Sequence, residues 1–337
     1  MKMTMNLLIS LVAGELRRAG ANADMADATA KALVLAEAQG LSSHGLSRVN
    51  QYATHLRNGR VNGDAVPVVV KRKGAALLVD AHEGLAFAAC ELAVGQAILA
   101  AKENGVAFAG VIRSHHCGVV VDHLRAVAQA GMVGIGFANS PAAMPAAGGL
   151  HPIFGTDPIA AIFPRRNNLP LMIDLSLSEV ARGKLMVAAK EGKSIPQGWA
   201  LDAQGNPTTD PKAGLSGAML PFGSRADASP KGAMLALMVE LLVTAVIGAN
   251  FGYEASSFFV DEGNRPGLGQ AFIVIDPGAL AGREQFLSRV EVLVGEMLKD
   301  EGVRLPGTRR EELRLQALAG GVQVAEELLA PWIAAAQ

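Results

Sequence analysis

The sequence predicts a mixed α/β fold, on three observations. Short aliphatic runs that read as buried strands alternate with longer alanine- and leucine-rich segments of helical period. The 337 residues are 50% hydrophobic but only 4% aromatic, so the core is built from Ala, Val, Leu, Ile and Met. A chain of this length buries roughly two domains' worth of core.

In chain order, residues 1–60 read as helices. Leu7, Leu8, Leu11, Val12 and Leu16 share one stripe and Glu15, Arg17 and Arg18 follow, which favours an amphipathic helix over a signal peptide. Alanine-rich periodicity covers 21–38, and a further helix is expected over 46–56. Strands are expected at 66–70 and 75–80, then a helix at 87–103, a buried strand at 106–112, a helix at 119–130 and a strand at 133–138. The Gly-, Pro- and Ala-rich stretch 139–155 is too long for an idle connector. Strands follow at 159–163 and 169–173, and Ser176 or Ser178 is placed to cap a helix reaching Lys190. The remaining expectations are a strand at 199–202 with a turn at Gly205-Asn206-Pro207, an apolar helix from Lys231, a strand at 271–275 and a helix at 284–298.

A net charge of −1 argues against nucleic acid as a partner. The most apolar stretch, Ala233 to Val246, is interrupted by Glu240 and falls short of the roughly 18 residues of a membrane span. Cys90 and Cys117 make no disulfide framework, and C-x-x-C and H-E-x-x-H spacings are absent, so no metal site is expected and a reducing cytoplasm is the default. Gly134/Gly136 and Gly267/Gly269 lack the third small residue of the Rossmann fingerprint. Gly192-Lys193-Ser194 resembles a P-loop end, but Val187 stands where its first glycine belongs.

Three constellations carry chemistry. In Ser43-His44-Gly45-Leu46-Ser47-Arg48, a helix would put His44 and Arg48 on one face, joining a neutral-range acid/base to a carboxylate clamp. Ser114-His115-His116-Cys117-Gly118 closes a predicted strand, and three readings compete: metal ligands, a Cys117 nucleophile with His116 as base, or the lining of a cofactor cleft. Asp174 ends another strand, where a carboxylate meets ribose hydroxyls. Arg182 and Lys184 then fall about two turns into the following helix, a face that solvation alone also explains. Pro306-Gly307-Thr308-Arg309-Arg310 is a turn able to meet phosphates.

Together these segments resemble the malate/L-lactate dehydrogenase type 2 family, which also holds sulfolactate, ureidoglycolate and diketogulonate dehydrogenases and cyclic-imine reductases. The matches run in order over nearly the whole chain: Ser43-His44-Gly45, Ser114–His116, Phe154–Pro158, Asp174–Ser178, Ala181–Lys184, Pro207–Pro211, Pro230–Gly232 and Pro306–Arg310. The resemblance implies a non-Rossmann nicotinamide-binding domain on a largely antiparallel sheet, residues 73–284. It implies a helical region drawn from both chain ends, 1–72 and 285–337, and a homodimer. It implies His44 as proton donor with Ser43 in support, His116 as the acid/base proposed for some members, and Arg48 and Thr156 on the substrate. His116, Cys117, Gly118, Val119, Val120, Asp174, Leu175, Ser176, Pro230, Lys231, Gly307, Thr308, Arg309 and Arg310 would line NAD or NADP.

The expected substrate is a small anionic 2-hydroxy or 2-oxo acid. The runs Asp174–Lys184 and Trp199–Asp202 look most like (2R)-3-sulfolactate dehydrogenases. Malate or lactate oxidation, reduction of pyrroline- or piperideine-2-carboxylate, and a catalytically silent nicotinamide binder are the alternatives. Three departures matter. Asp157 replaces a common Asn and is expected to point away from an anionic substrate. Lys184 replaces the acid of the imine reductases and is expected to act as a catalytic cation at the oxyanion. The stretch 223–230 is longer than the usual turn.

Overall fold

A computed structural model describes residues 1–224 and 230–335. Most of the lengthened stretch after Gly223 therefore lies outside the described residues.

The chain opens with three helices. α1 (Met5–Arg18) starts where the Thr4 side chain accepts from the Leu7 N–H, and it buries Leu8, Val12 and Leu16. Leu7 is exposed, so the buried stripe is narrower than the sequence pattern implies. α2 (Ala23–Ala38) is capped by Asn22, whose side chain accepts from Met25 N–H at 2.9 Å. α3 (Val49–Arg57) follows two short 3₁₀ turns. These helices share a core with the far end of the chain. Lys2–Met3 pairs antiparallel with Val322–Gln323, and Trp332 is fully buried with its indole N–H donating to Asn50 Oδ1 at 3.3 Å.

Short strands at Met144–Pro145 with Pro152–Phe154, and at Ala200–Leu201, Pro207–Thr208 and Ala218–Met219, form two small sheets of their own, and seven strands of the middle of the chain build one larger sheet. Its strands are β1 (Val68–Lys73), β2 (Ala76–Asp80), β3 (Val106–Ser114), β4 (Val133–Ala138), β5 (Ile159–Phe163), β6 (Leu171–Leu175) and β7 (Leu268–Ile275), in the spatial order β1-β2-β3-β7-β4-β5-β6. Only β2 and β3 pair in parallel, and every other neighbour is antiparallel. The expected mixed α/β class and largely antiparallel sheet are therefore found.

Helices cover both faces. α4 (Ala86–Asn104) and two short helices, Val120–His123 and Arg125–Gln129, pack on one face. Those two replace the single helix expected over 119–130. α5 (Arg182–Glu191) and α6 (Lys231–Leu241) belong to the core of the other face. The Gly134/Gly136 pair is explained by this packing. A Cβ at 136 would sit 2.9 Å from Val120 Cγ1, and one at 134 would sit 3.1 Å from Leu124 Cδ2. α7 (Arg283–Met297) ties to the sheet edge through Glu291, 2.8 Å from Arg165. α8 (Thr308–Gly320) and α9 (Glu326–Ala334), which the sequence reading did not delimit, close the chain.

The cap expected at Ser176 or Ser178 is not formed. Ser178 Oγ donates to the Val180 carbonyl, and α5 begins only after Ala181, which makes no side-chain cap. Arg182 and Lys184 consequently lie in the first turn of α5 rather than two turns in. No helix among the described residues is long and apolar enough to cross a membrane.

Candidate active site

His44 and Arg48 are set by two 3₁₀ turns, Ser42–His44 and Leu46–Arg48, not by the continuous helix the spacing predicts. The break falls at Gly45, where φ is −99° and ψ is −135°. Glu37 of α2 is the cause. Its carboxylate accepts from the Ser42 hydroxyl at 2.7 Å and from Leu46 N–H at 2.9 Å, and a Cβ at position 45 would lie 2.4 Å from Glu37 Oε2. Two compact turns clamped on one carboxylate thus present Ser43, His44 and Arg48 together.

Ser43 Oγ lies 3.0 Å from His44 Nδ1. A hydroxyl both donates and accepts, so Ser43 can follow His44 through both protonation states. Arg48 is held by its own donors, Nε to the Ser43 carbonyl at 2.7 Å and Nη1 to Gln51 Oε1 at 2.8 Å. Protein packed around His44, with the Arg48 and Arg310 charges behind it, lowers its pKa to about 4. His44 is therefore neutral at pH 7.

His116 arrives from the loop after β3 and stacks on His44, with ring centroids 5.6 Å apart and planes inclined by 30°. Its Nδ1 is 2.6 Å from the hydroxyl of Tyr52, on α3. Tyr52 is fully buried, and burial pushes its phenol up, so it stays protonated. The phenol is the stronger acid of the two neutral groups and is assigned as donor, which leaves the His116 proton on Nε2. Burial first, then Arg48 and His44, holds His116 well below its ordinary value. Its neighbour His115 is turned inward, 3.0 Å from His55 Nδ1, and belongs to the packing. Burial raises the Cys117 thiol to about 12, which removes the nucleophile reading.

A second strip of predicted residues lies beside this cluster. Asp174, at the end of β6, accepts from Val121 N–H at 3.4 Å and from Arg310 Nη1 at 3.3 Å. Burial outweighs both bonds and raises its pKa. Gly307 has φ +91° and opens α8, and a Cβ there would sit 2.7 Å from that of Met172 on β6. This is where glycine is required, because the turn 306–310 presses directly on the strand. Arg310 links the strips, pairing with Asp174 while its charge reaches His44.

Other predicted residues lie apart from these bonds. Thr156 N–H donates to Ser140 Oγ at 3.0 Å, on the loop beside Asp157. Asp157 itself is fully buried and away from solvent, as expected of a carboxylate that must avoid an anion. Pro230 and Lys231 are exposed at the start of α6, and no hydrogen bond among the described residues joins them to Asp174 or Arg310. Lys184 departs from its expected place as a catalytic cation. It is exposed on α5 with its ammonium 5.9 Å from the Trp199 ring centroid, because two positions, a little over half a turn of helix, direct it away from Arg182.

Tyr52, Gln51 and the Phe258-Phe259 pair were not singled out from the sequence. Phe258 packs 5.3 Å from His116, and Phe259 lies under Arg48 at 5.2 Å. Two signals were available: Tyr52 is one of two tyrosines and stands four residues after Arg48, and adjacent phenylalanines are conspicuous in a chain that is 4% aromatic.

Comparison with known proteins adds the following. Residues 3–331 match the profile of the family described as malate/L-lactate dehydrogenase. A (2R)-3-sulfolactate dehydrogenase (NADP(+)) of Chromohalobacter salexigens is 48% identical over 289 residues, 86% of this chain and 84% of that protein. The solved structure of sulfolactate dehydrogenase from Methanocaldococcus jannaschii superposes with a TM-score of 0.88 at 31% identity, covering 98% of this chain and 95% of that one. The Δ1-piperideine-2-carboxylate reductase of Pseudomonas syringae superposes at 0.92 with 35% identity, covering 98% of each chain.

Proposed function

The chain belongs to the malate/L-lactate dehydrogenase family, and from that premise we propose that it interconverts (2R)-3-sulfolactate and 3-sulfopyruvate with NADP. The observation that carries the reading is the His44–His116 stack flanked by Arg48 on one side and the Asp174–Arg310 strip on the other. In the oxidative direction the hydroxy acid loses its hydroxyl proton and a hydride from C2, giving the 2-oxo acid, NADPH and one proton.

The residues present fit a nicotinamide dinucleotide. A buried carboxylate ends a strand, a glycine lets the 306–310 turn close on that strand, and two arginines stand where α8 begins. The chemistry that NADP supplies when bound is acceptance of hydride from C2. The chain's residues do the rest. Arg48 grips the C1 carboxylate and orients C2. Neutral His44 takes the hydroxyl proton, and Ser43 holds its ring through the change. His116, fixed by Tyr52, offers its Nε2–H to the substrate oxygen. Burial is the main cause of the lowered His44 pKa and persists in the complex, but an anion seated on Arg48 offsets that guanidinium's share and so eases protonation of His44 for the reductive direction.

The same reading assigns 73–284 as a non-Rossmann cofactor and substrate region and 1–72 with 285–337 as the helical region that brings His44. It also assigns a homodimer. Met234, Leu237, Met238 and Leu241 of α6 and Val246 beyond it are all exposed, an apolar face that a second copy would cover. Light scattering of the purified protein tests that assignment.

Cyclic-imine reduction is the second reading, favoured by the TM-score of 0.92 to the piperideine-2-carboxylate reductase. A rate panel decides between them: 3-sulfopyruvate, oxaloacetate, pyruvate and pyrroline-2-carboxylate, each with NADPH and NADH. The expected order puts 3-sulfopyruvate with NADPH first. Faster turnover of the cyclic imine than of every 2-oxo acid would overturn the proposal.

A further inference from the structure

Arg182 and Arg48 come from different elements of the chain. Arg48 comes from the turns before α3, whereas Arg182 opens α5 on the sheet side of the molecule. Both converge on one ring, with the Arg182 guanidinium carbon 5.3 Å and that of Arg48 5.2 Å from the Phe259 centroid. Both side chains are partly buried, and no carboxylate among the described residues offsets that burial for either one. Among the described residues, Arg182 makes one hydrogen bond, a long one of 3.3 Å from Nη2 to the Leu215 carbonyl. An arginine carries five N–H donors, so most of this fork has no protein acceptor. Two partly desolvated cations facing one aromatic ring, with no acid among the described residues between them, form an arrangement that an anion with two charged ends completes.

We propose that Arg182 is the seat for a second acid group, holding the sulfonate or carboxylate on C3 of a three-carbon acid whose C1 carboxylate is on Arg48. The assignment rests on the dehydrogenase reading above for the identity of the reacting carbon, but the seat itself is a binding property. Phe259 brings both guanidinium groups against one ring. A substrate with one acid group, such as pyruvate, leaves Arg182 unused. A cyclic imino acid has one carboxylate and a nitrogen that becomes positive, which a neighbouring guanidinium opposes. Arg182 is thus a specificity-determining residue for compact dianions, a role distinct from the oxyanion cation expected of Lys184.

The test is kcat/KM for 3-sulfopyruvate, oxaloacetate and pyruvate with NADPH, in the wild type, Arg182→Gln and Arg182→Lys, with thermal melting as a check of folding. Arg182→Gln should lose about 10- to 100-fold on the two dianions and under about threefold on pyruvate. Arg182→Lys keeps a charge but not the fork, and should recover part of the loss. Equal losses on all three substrates, or no loss on any, would overturn the seat.

Calorimetric binding of 3-sulfopropanoate and propanoate, neither of which can be reduced, separates this from failure of the dehydrogenase reading. Tighter binding of 3-sulfopropanoate that disappears in Arg182→Gln supports the seat even if no 2-oxo acid turns over. Equal binding of the two by the wild type overturns the seat while leaving the dehydrogenase reading to the rate panel.

Discussion

The histidine cluster and the Asp157–Glu240 pair are both polar groups withdrawn from water, yet they are built in opposite ways. In the cluster, Tyr52 meets His116, Ser43 meets His44, and Arg48 is held by Ser43 and Gln51. Each group is fixed from one side and keeps donors or acceptors for something else. In the pair, Asp157 is fully buried and neither of its carboxylate oxygens makes a well-formed hydrogen bond among the described residues, while Glu240 accepts through Oε1 from Gly252 N–H at 2.6 Å. Burial drives both regions toward neutrality: it lowers the histidines, raises Glu240 to about 7 and, with the Glu240 charge added, raises Asp157 well above the usual carboxylate range. The lesson is that burial alone does not identify a functional group. The cluster is half-open and pre-positioned, so its perturbed protonation states can be used. The pair is closed, so its perturbation bears on stability.

The sharpest way to break this comparison is at His44. If it moves the proton, His44→Ala should lower kcat by about a hundredfold or more while leaving NADPH affinity, read by nicotinamide fluorescence, nearly unchanged. The pH profile sharpens the same point. The free enzyme's His44 titrates at about 4, so kcat/KM for hydroxy-acid oxidation, which needs the neutral ring, should stay flat from pH 8 to about pH 5 and decline through about 4. An inflection near 6.5 would show a histidine in an ordinary, solvated setting. A variant kcat within a few-fold of wild type would transfer the proton to His116.

Arg48 comes next. Its Nε and Nη1 are committed to Ser43 and Gln51, so the guanidinium is already oriented before substrate arrives. Lysine reproduces the charge but neither the two-point grip nor that orientation. Arg48→Lys should raise KM for every 2-oxo acid about 10- to 100-fold, with a smaller change in kcat. An unchanged KM across the substrate panel would place the carboxylate elsewhere.

How much of this was legible in the sequence follows from the range over which each signal acts. Strands β4 and β5 were read to the residue because aliphatic runs bounded by turns are a local signal. The Ser43-His44-Arg48 motif was legible, but its geometry was not: the turns depend on Glu37, a residue of another helix. Tyr52 and Phe259 were missed for a related reason, since each meets its partner across the fold, 64 and 211 positions away. The α5 boundary failed because Ser178 spends its hydroxyl on the Val180 carbonyl instead of a helix N–H. The longest-range fact, that both chain ends share one core, came only from the family resemblance.

Asp157→Asn tests the other half of the comparison, through stability. Glu240 and Asp157 both have folded-state pKa values above their ordinary ones, so the native protein holds more protons than the unfolded chain above the ordinary carboxylate range. Stability contributed at low pH is therefore lost as pH rises, for Glu240 between about 4.5 and about 7. An amide at 157 removes one of the two titrations and the charge that faces Glu240. The variant should be more stable at pH 8 by about 1–3 kcal/mol, with the gain shrinking toward pH 4. Thermal melts across that range measure it. A melting temperature equal to or below wild type at pH 8 would mean that Asp157 is already well paired.

The smallest effect is expected at Lys184, and it separates the two cations of the Ala181–Lys184 run. Lys184 is exposed, and its ammonium engages the rim of the protein through Trp199, a contact worth about 0.5–1 kcal/mol at such a site. Arg182, two residues earlier, faces Phe259. Lys184→Ala should therefore keep kcat/KM for 2-oxo acids within about threefold of wild type and lower the melting temperature slightly. Lys184→Asp should leave the ratio of 2-oxo acid to cyclic-imine turnover unchanged, because a charge at this exposed position is screened by solvent from the reacting carbon. A hundredfold loss in Lys184→Ala, or a shift of that ratio toward the imine in Lys184→Asp, would put the ammonium at the developing oxyanion. It would also make α5 contribute two cations to the chemistry rather than one.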